Sequence, residues 1–232
     1  MKLAIMQPYV FPYIGYYQLI KAVDKFVIYD DVNYINRGWI NRNNILVNNQ
    51  SSLFTIPLKD ASQNRLIRDI ELVQTSGWQK KLLKTMEHAY KKAPHFKELF
   101  PVISAIINAE ISHIYQLASL SIISIAAYLG IPTVFVKSSV IYHNANLKSQ
   151  ERILDICIRE KADHYINPSG GMEIYSRNLF EESGVRLNFL KARPVSYKQF
   201  NGEFVPFLSI IDVLMFNSKE ASNQLLGEYE LL

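Results

Sequence analysis

Short apolar runs alternate with a helical pattern at the start of the chain. Residues 3–6 form an apolar run with the length of a buried strand, residues 15–23 suit a helix, and residues 26–29 predict a second buried strand. The prolines at positions 8 and 12 keep the intervening segment out of a helix. A strand, a helix and a strand in this order favour a parallel sheet with a right-handed crossover.

Strand and helix patterns also alternate through the rest of the chain. The Asn-rich residues 33–49 predict turns, and residues 53–56 and 67–72 predict strands of a small antiparallel flap. The remaining patterns predict helices at 78–91 behind a Ser76-Gly77 cap, at 102–129 as one or two helices, at 150–160 behind a Ser149 cap and at 209–216, and strands at 133–137, 164–166 and 185–190. We therefore expect a single α/β domain over residues 1–232, with a mainly parallel, Rossmann-like sheet, flanking helices, the antiparallel flap and a helical insertion or subdomain at residues 75–130.

The composition is typical of a globular protein in a reducing compartment. Of the 232 residues, 49% are hydrophobic and 20% are charged, so disorder is not expected. Cys157 is the only cysteine, which excludes an internal disulfide and favours a cytoplasmic location. Its place on the apolar side of a helix favours core packing over nucleophilic chemistry. A proline at position 8 precedes any signal-peptide core, and polar residues interrupt the most apolar region, 102–136, so we expect neither a signal peptide nor a membrane span.

The mild positive charge fits a small phosphate-bearing ligand as well as it fits a polymer, and we do not expect a nucleic-acid partner. The formal net charge is +4 and the sequence pI is about 9.0, but the basic residues are scattered. The densest group, between residues 80 and 92, lies on a helical stretch and predicts a solvated face. The five histidines are isolated and no Cys-x-x-Cys occurs, so we do not expect a metal site.

The first candidate site is the aromatic segment at residues 7–17, between the first strand and the first helix. In open α/β sheets, ligands bind outside the carboxyl ends of strands, and a helix start attracts anions. The residues predicted to contact substrate here are Gln7, Tyr9 and Tyr16, with Tyr13 predicted to act in catalysis. Residues 13–16 share the spacing of the His-x-Gly-His turn of nucleotidylyl transferases and pantothenate synthetases, but tyrosine brings no positive charge. The alternative is that these rings only pack the helix onto the sheet.

The second candidate site is the loop that directly follows the second strand. Asp30 or Asp31 can serve as a base, a metal ligand or an amine binder, and strand alternation means that only one of them needs to be catalytic. The substrate contacts predicted in this loop are Arg37, Trp39, Asn41 and Arg42. The two arginines can clamp a phosphate or carboxylate by paired hydrogen bonds. A solvated loop is the alternative, although loops dense in such residues are often functional.

Four further positions complete the predicted substrate site: Lys148, Gly170, Gly171 and Asp212. The lysine precedes a predicted helix and, together with His143 and Arg152, suits an anion, although helix capping alone is the alternative. The two glycines lie in a turn after a strand, where the backbone can approach a ligand closely. The aspartate lies in an otherwise apolar helix, where it is either a site carboxylate or a partner that stabilises the helix.

These motifs together resemble the WbqC-like protein family. The matching segments, in chain order, are Met6-Gln7-Pro8-Tyr9, Phe11-Pro12-Tyr13-Ile14-Gly15-Tyr16, Tyr29-Asp30-Asp31, Arg37-Gly38-Trp39-Ile40-Asn41-Arg42 and Leu208-Ser209-Ile210-Ile211-Asp212. The resemblance implies a role in bacterial surface polysaccharide biosynthesis, such as that of the lipopolysaccharide O-antigen. It implies in particular a transferase that adds glycyl or acyl groups to 4-amino-4,6-dideoxyhexoses. It assigns no catalytic residues, so the roles given above follow from position and chemistry.

The sequence and the resemblance together predict an N-acyl or aminoacyl transferase that acts on a nucleotide-linked amino sugar. The donor is open between an acyl thioester, carried by coenzyme A or an acyl carrier, and an acyl adenylate made from ATP. One alternative is a glycosyltransferase that uses a nucleotide sugar, and another is a non-catalytic binding or assembly protein of a polysaccharide pathway. In each case we expect the site at the carboxyl edge of the sheet, bounded by residues 9–16, 30–42 and 167–171.

Overall fold

The computed structural model describes residues 1–75 and 77–232, so the expected cap at Ser76 lies outside the described residues. The strands are β1 (Lys2–Met6), β2 (Lys25–Ile28), β3 (Arg42–Val47), β4 (Gln50–Thr55), β5 (Leu58–Lys59), β6 (Glu71–Leu72), β7 (Val134–Val136), β8 (His164–Pro168), β9 (Arg186–Ala192) and β10 (Tyr229–Leu231). The helices are α1 (Ile14–Lys21), α2 (Trp78–Tyr90), α3 (Phe96–Ile107), α4 (Ile114–Tyr128), α5 (Ser149–Arg159), α6 (Arg177–Glu182), α7 (Ile210–Phe216) and α8 (Lys219–Leu225).

Six strands form the main sheet, in the order β7-β2-β1-β8-β9-β10. All neighbours are parallel except β9 and β10. Counted along the chain, these strands lie in the order third, second, first, fourth, fifth and sixth, which is the order of a Rossmann-type sheet. Two small antiparallel sheets, β3 with β4 and β5 with β6, lie outside it. The expected mainly parallel α/β fold with a small antiparallel flap is therefore confirmed.

The central strands bury side chains on both faces of the sheet, because helices cover both sides. In β1, Leu3 and Ile5 pack into one hydrophobic cluster, with α5 and α6, whereas Ala4 packs into the other. The second cluster is the larger one and contains the buried faces of α1, α2, α3, α4 and α7. The helices at residues 78–128 thus share their core with one face of the sheet.

The structure differs from the sequence expectations in several places, and it adds α6, α8 and β10, which the sequence analysis did not predict. Within the Asn-rich segment, residues 36–37 and 48–49 form expected turns. The segment also contains strand β3, because Ile45 and Leu46 are buried and pair with β4. The expected strand at residues 67–72 is a 3-10 turn followed by the two-residue strand β6. Helix α5 begins at Ser149 itself, and no side chain caps it.

The apolar region at residues 102–136 contains parts of α3 and α4, which pack against each other. Over the described residues, no helix combines the length and the apolar character that crossing a membrane requires.

Candidate functional site

The carboxyl ends of β1, β2, β7 and β8 lie at one edge of the sheet, because these strands are parallel neighbours. The loops that follow β2 and β7 enclose a cavity of about 670 Å³, which we call the charged cavity. Its acidic and basic lining side chains are Asp31, Arg68, Asp69, His143, Lys148 and Arg152. The volume is within the range of roughly 300–1,000 Å³ that small-molecule sites occupy.

A buried ion pair forms one wall of the charged cavity. Arg152 Nη2 donates to Asp31 Oδ2 at 2.6 Å, and its Nη1 donates to the Asp31 carbonyl at 3.2 Å. The two side chains are only 5% and 8% exposed. The guanidinium also lies 4.9 Å from the centre of the Tyr29 ring, and its Nε donates to Asn144 Oδ1 at 3.0 Å. Burial raises the pKa of Tyr29 to about 12, so the phenol keeps its proton.

Asp30 points away from this cavity and into the protein. Its carboxylate is fully buried and accepts hydrogen bonds from Ser138 Oγ at 2.9 Å and from the Ser139 backbone amide at 3.0 Å. Burial raises the pKa of Asp30, and these hydrogen bonds partly offset the shift. Both aspartates follow the end of β2, and the Ser139 hydroxyl contacts both carboxylates, but only Asp31 lines the cavity.

Basic side chains line other parts of the charged cavity. The Nη1 atom of Arg68 is buried and has no hydrogen-bond partner among the described residues. The exposed Lys148 immediately precedes α5, whose first backbone N–H groups have no acceptors within the helix. His143 ends the turn after β7 with a left-handed φ of 48°. An anion that enters this cavity therefore meets several donors, while Asp31 and Asp69 provide the opposite charge.

A second concave surface follows strand β1, and we call it the aromatic cleft. Its volume is about 380 Å³, and it is lined by Tyr9, Pro12, Tyr13, Trp39, Asn43 and Phe207. Tyr13 and Phe207 also line a wider cleft of about 550 Å³, so the pair forms a ridge between the two. Gly15 makes room for this arrangement, because a Cβ atom there would lie 2.3 Å from Cε2 of Tyr13.

Three of the predicted substrate contacts hold the structure together instead of facing a cavity. Tyr16 is buried, and its hydroxyl donates to the Gln7 carbonyl at 2.8 Å. Asn41 is buried between Tyr34, whose hydroxyl donates to Asn41 Oδ1 at 2.8 Å, and the Ile56 carbonyl, which accepts from Asn41 Nδ2 at 2.8 Å. Arg42 Nε donates to the Gly38 carbonyl at 2.9 Å. These residues fix the loops that carry the two concave surfaces.

Asp212 lies in α7 as a fully buried carboxylate held by neutral donors only. It accepts hydrogen bonds from Tyr90 Oη at 2.9 Å, Tyr197 Oη at 2.7 Å and Gln199 Nε2 at 2.7 Å. Burial raises its pKa, and the three hydrogen bonds partly offset the shift. Because Tyr197 lines the wider cleft, Asp212 supports that surface from behind.

The remaining predicted positions lie outside the three concave surfaces. Gln7 follows β1, and its Oε1 atom is buried without a hydrogen-bond partner in the described part of the chain. Arg37 is exposed, with a left-handed φ of 58°. Gly170 is exposed in a 3-10 turn, and a Cβ atom on the buried Gly171 would lie 1.9 Å from Asn167 Nδ2. The turn at residues 169–171 is at the expected edge of the sheet but does not line the charged cavity or either cleft.

Sequence reasoning did not find Arg68, Asp69 or Phe207. Arg68 and Asp69 lie in a 3-10 turn that the apolar pattern presented as a strand. Phe207 lies in an irregular segment before α7, where an aromatic residue gives no signal of a site. No cluster of three or more acidic, histidine or cysteine side chains suited to a metal is present in residues 1–75 and 77–232.

A Rossmann-type sheet with a polar cavity at its carboxyl edge defines this molecule as an α/β protein with a candidate ligand cavity. The model of the WbqC-like protein family matches residues 7–224, and the chain belongs to that family. The chain is similar to uncharacterized protein Rv1507c of Mycobacterium tuberculosis (strain ATCC 25618 / H37Rv), with 31% identity over 232 residues that cover 97% of each protein. No solved structure gives a significant match to the chain.

Proposed function

We propose that this protein is a transferase that adds an acyl or aminoacyl group to the amine of a nucleotide-linked 4-amino-4,6-dideoxyhexose, for surface polysaccharide biosynthesis. The observation that carries the proposal is the charged cavity, which combines cationic side chains with the carboxylates of Asp31 and Asp69. A nucleotide-linked amino sugar presents the complementary pair of charges: an anionic pyrophosphate and a cationic ammonium.

The cationic side of the cavity suits the pyrophosphate. The Nη1 atom of Arg68 is buried and has no hydrogen-bond partner among the described residues. Lys148 lies beside the start of α5. Arginine binds phosphate oxygens through its planar fork, and lysine contributes a mobile point charge. Arg152 is already engaged by Asp31, so its role is to hold that carboxylate in place.

The acidic side suits the sugar ammonium. Asp31 attracts the ammonium, whereas Asp30 is enclosed by Ser138 and Ser139 and does not reach it. His143 lines the same cavity, and histidine is the commonest general base, so we assign to it the removal of the ammonium proton. The free amine then attacks the acyl carbonyl of a thioester: a C–N bond forms, the C–S bond breaks, and a second proton from the amine nitrogen leaves on the thiol. With an acyl adenylate as donor, the C–O bond breaks and AMP leaves instead.

The test combines binding and product formation. Thermal shifts are measured with dTDP- and UDP-linked 4-amino-4,6-dideoxyhexoses, and mass spectrometry then follows amide formation with acetyl coenzyme A, other acyl thioesters, or glycine with ATP. Arg68→Ala and Lys148→Ala should each reduce the ligand-induced shift, whereas Lys81→Ala, on the exposed face of α2, should not. His143→Gln should bind the sugar nucleotide but form no amide.

Three outcomes contradict the proposal. If no donor yields an amide and the two cavity variants bind like the wild type, the cavity is not the site of this reaction. Hydrolysis of the sugar nucleotide that requires a divalent metal would indicate a glycosyltransferase instead. Co-purification with a polysaccharide enzyme, without a shift from any nucleotide ligand, would indicate a binding or assembly protein.

A further inference from the structure

The aromatic cleft differs from the charged cavity in the charge of its lining. None of the six residues that line the aromatic cleft is acidic or basic. A phosphate or a nucleotide would therefore find no charge partner in the lining of this cleft. An uncharged ligand loses little by entering it, because no ionised group has to be desolvated.

The cleft nevertheless offers hydrogen-bonding groups at its rim. In the described part of the chain, the hydroxyl groups of Tyr9 and Tyr13 and the indole N–H of Trp39 make no hydrogen bond. Tyrosine and tryptophan that are this accessible combine a flat apolar face with one free polar group. A ligand that fits them has an apolar face and several hydroxyl groups around its edge.

The aromatic rings are held as separate platforms instead of as a stack. The Tyr9 ring packs against Tyr16 at 5.7 Å, and the Arg42 guanidinium lies 5.8 Å from the centre of the Trp39 ring. Tyr13 and Phe207, 42% and 84% exposed, pair with no other ring in the described residues. None of the four rings that line the cleft stacks directly on another of the four in the described residues.

We infer that the aromatic cleft is a binding site for an uncharged saccharide, with a pyranose ring packed by its C–H face on Tyr13, Trp39 or Phe207. The hydroxyl groups at the ring edge accept or donate hydrogen bonds at the tyrosine hydroxyls and the indole N–H. Tyr13 and Phe207 also border the wider cleft, so a chain of two or more rings can cross the ridge between the two surfaces. This inference does not depend on the proposed transfer reaction, which takes place in the charged cavity.

The test uses neutral oligosaccharides and the natural fluorescence of the protein. The chain has two tryptophans, of which Trp78 is buried and Trp39 is 46% exposed in the cleft, so Trp39 reports on binding. A panel of glucan, mannan and chitin hexasaccharides is titrated by fluorescence, and saturation-transfer NMR on each saccharide gives a second, independent readout. At least one saccharide should give a saturable change in fluorescence with the wild type. The Trp39→Phe variant should lose this fluorescence change, because it lacks the reporter, but should still show binding of the saccharide by NMR.

Variants of the ridge separate this site from adventitious contacts. Tyr13→Ala and Phe207→Ser should each weaken binding by roughly tenfold, which corresponds to about 1.4 kcal/mol. Ile174→Ser replaces a similarly exposed apolar residue outside the cleft and should leave binding unchanged. Inorganic pyrophosphate should not compete, because the lining of the cleft has no cation.

The inference is overturned if no saccharide in the panel gives a saturable signal by either method. It is also overturned if UMP or AMP occupies the cleft in preference to the saccharides, or if both ridge variants bind a saccharide like the wild type.

Discussion

Each of the two larger concave surfaces has a buried carboxylate in its wall or behind it, and the two carboxylates are stabilised in different ways. Asp31, at the charged cavity, forms an ion pair with Arg152 at 2.6 Å. Asp212, behind the wider cleft, has no cationic partner among the described residues and is held by Tyr90, Tyr197 and Gln199. Asp31 thus has a cation beside it, whereas Asp212 is held by neutral donors although Arg193 lines the wider cleft. The first arrangement keeps an anion at the cavity wall, and the second raises the pKa of the buried acid.

The largest effect is expected from breaking the ion pair. Arg152→Ala leaves the Asp31 carboxylate buried without a counter-charge and should lower the free energy of unfolding by about 3–5 kcal/mol. Arg159→Ala is the matched control on the same helix, because Arg159 is 51% exposed and pairs with Asp155 at the surface. It should cost less than about 1 kcal/mol. Urea unfolding measures both, and equal losses would show that the pair is not what stabilises the cavity wall.

The second effect concerns Asp212 and depends on pH. The Asp212 carboxylate accepts three hydrogen bonds, and in Asp212→Asn the amide NH₂ group would face hydrogen-bond donors. The substitution should lower the free energy of unfolding by about 2 kcal/mol. The pKa of Asp212 is raised in the folded protein, so the folded state binds more protons than the unfolded state between the ordinary value of 3.8 and the raised pKa. Protonation of Asp212 therefore stabilises the folded wild type in full below pH 3.8. This stabilisation is lost as the pH rises through the pKa of Asp212 in the folded state.

The stability difference between wild type and Asp212→Asn should therefore be largest near pH 4 and smaller at neutral pH. Subtraction of the two urea-unfolding series removes the acid sensitivity that both proteins share. A difference that grows as pH rises would mean that the Asp212 carboxylate is stabilised as an anion in the folded protein.

A third comparison uses two glycines: Gly171, in the turn that follows β8, and Gly15, in α1. Gly171→Ala should cost about 1–3 kcal/mol, because the new methyl group would lie 1.9 Å from Asn167 Nδ2 and Asn167 is itself held by the Tyr165 hydroxyl. Gly15→Ala meets only the outer part of the Tyr13 ring, which can turn towards solvent, and alanine favours the helix by about 1 kcal/mol. We expect Gly15→Ala to be neutral or stabilising while it disturbs the aromatic cleft. Thermal unfolding of both variants tests whether Gly171→Ala is the more destabilising of the two. A larger loss of stability in Gly15→Ala would contradict this expectation.

The smallest effect is expected at the rim of the aromatic cleft. Phe207 is largely exposed, so Phe207→Ser should change the free energy of unfolding by no more than about 0.5 kcal/mol. A larger loss in urea unfolding would mean that the ridge serves the fold and not a ligand.

The sequence supported more of the fold than of the site. The apolar runs at β1 and β2 and the helix between them were located within a residue or two, because burial on both faces of a parallel sheet leaves a local pattern. Strand β3 was missed because its asparagines suggest turns, while its burial depends on pairing with β4. For the site, the sequence predicted that Asp30 and Asp31 would face opposite ways at a strand end, and the structure places only Asp31 in the cavity. Tyr16, Asn41 and Asp212 have side chains suited to a ligand, but their hydrogen bonds are made within the protein.

The sequence by itself determined that β1, the loop after it and α1 form a strand–loop–helix unit, since prolines, glycine and apolar spacing act over a few residues. The tertiary structure alone decided which distant residues meet. Arg152 reaches Asp31 across 121 positions, and Phe207 joins Tyr9 and Trp39 from a segment that precedes the last two helices. Such meetings depend on strand order and on the crossing of the chain from β7 to β8, which no local pattern encodes. The charge of one surface and the neutrality of the other are therefore properties of the fold, built from residues that the sequence keeps apart.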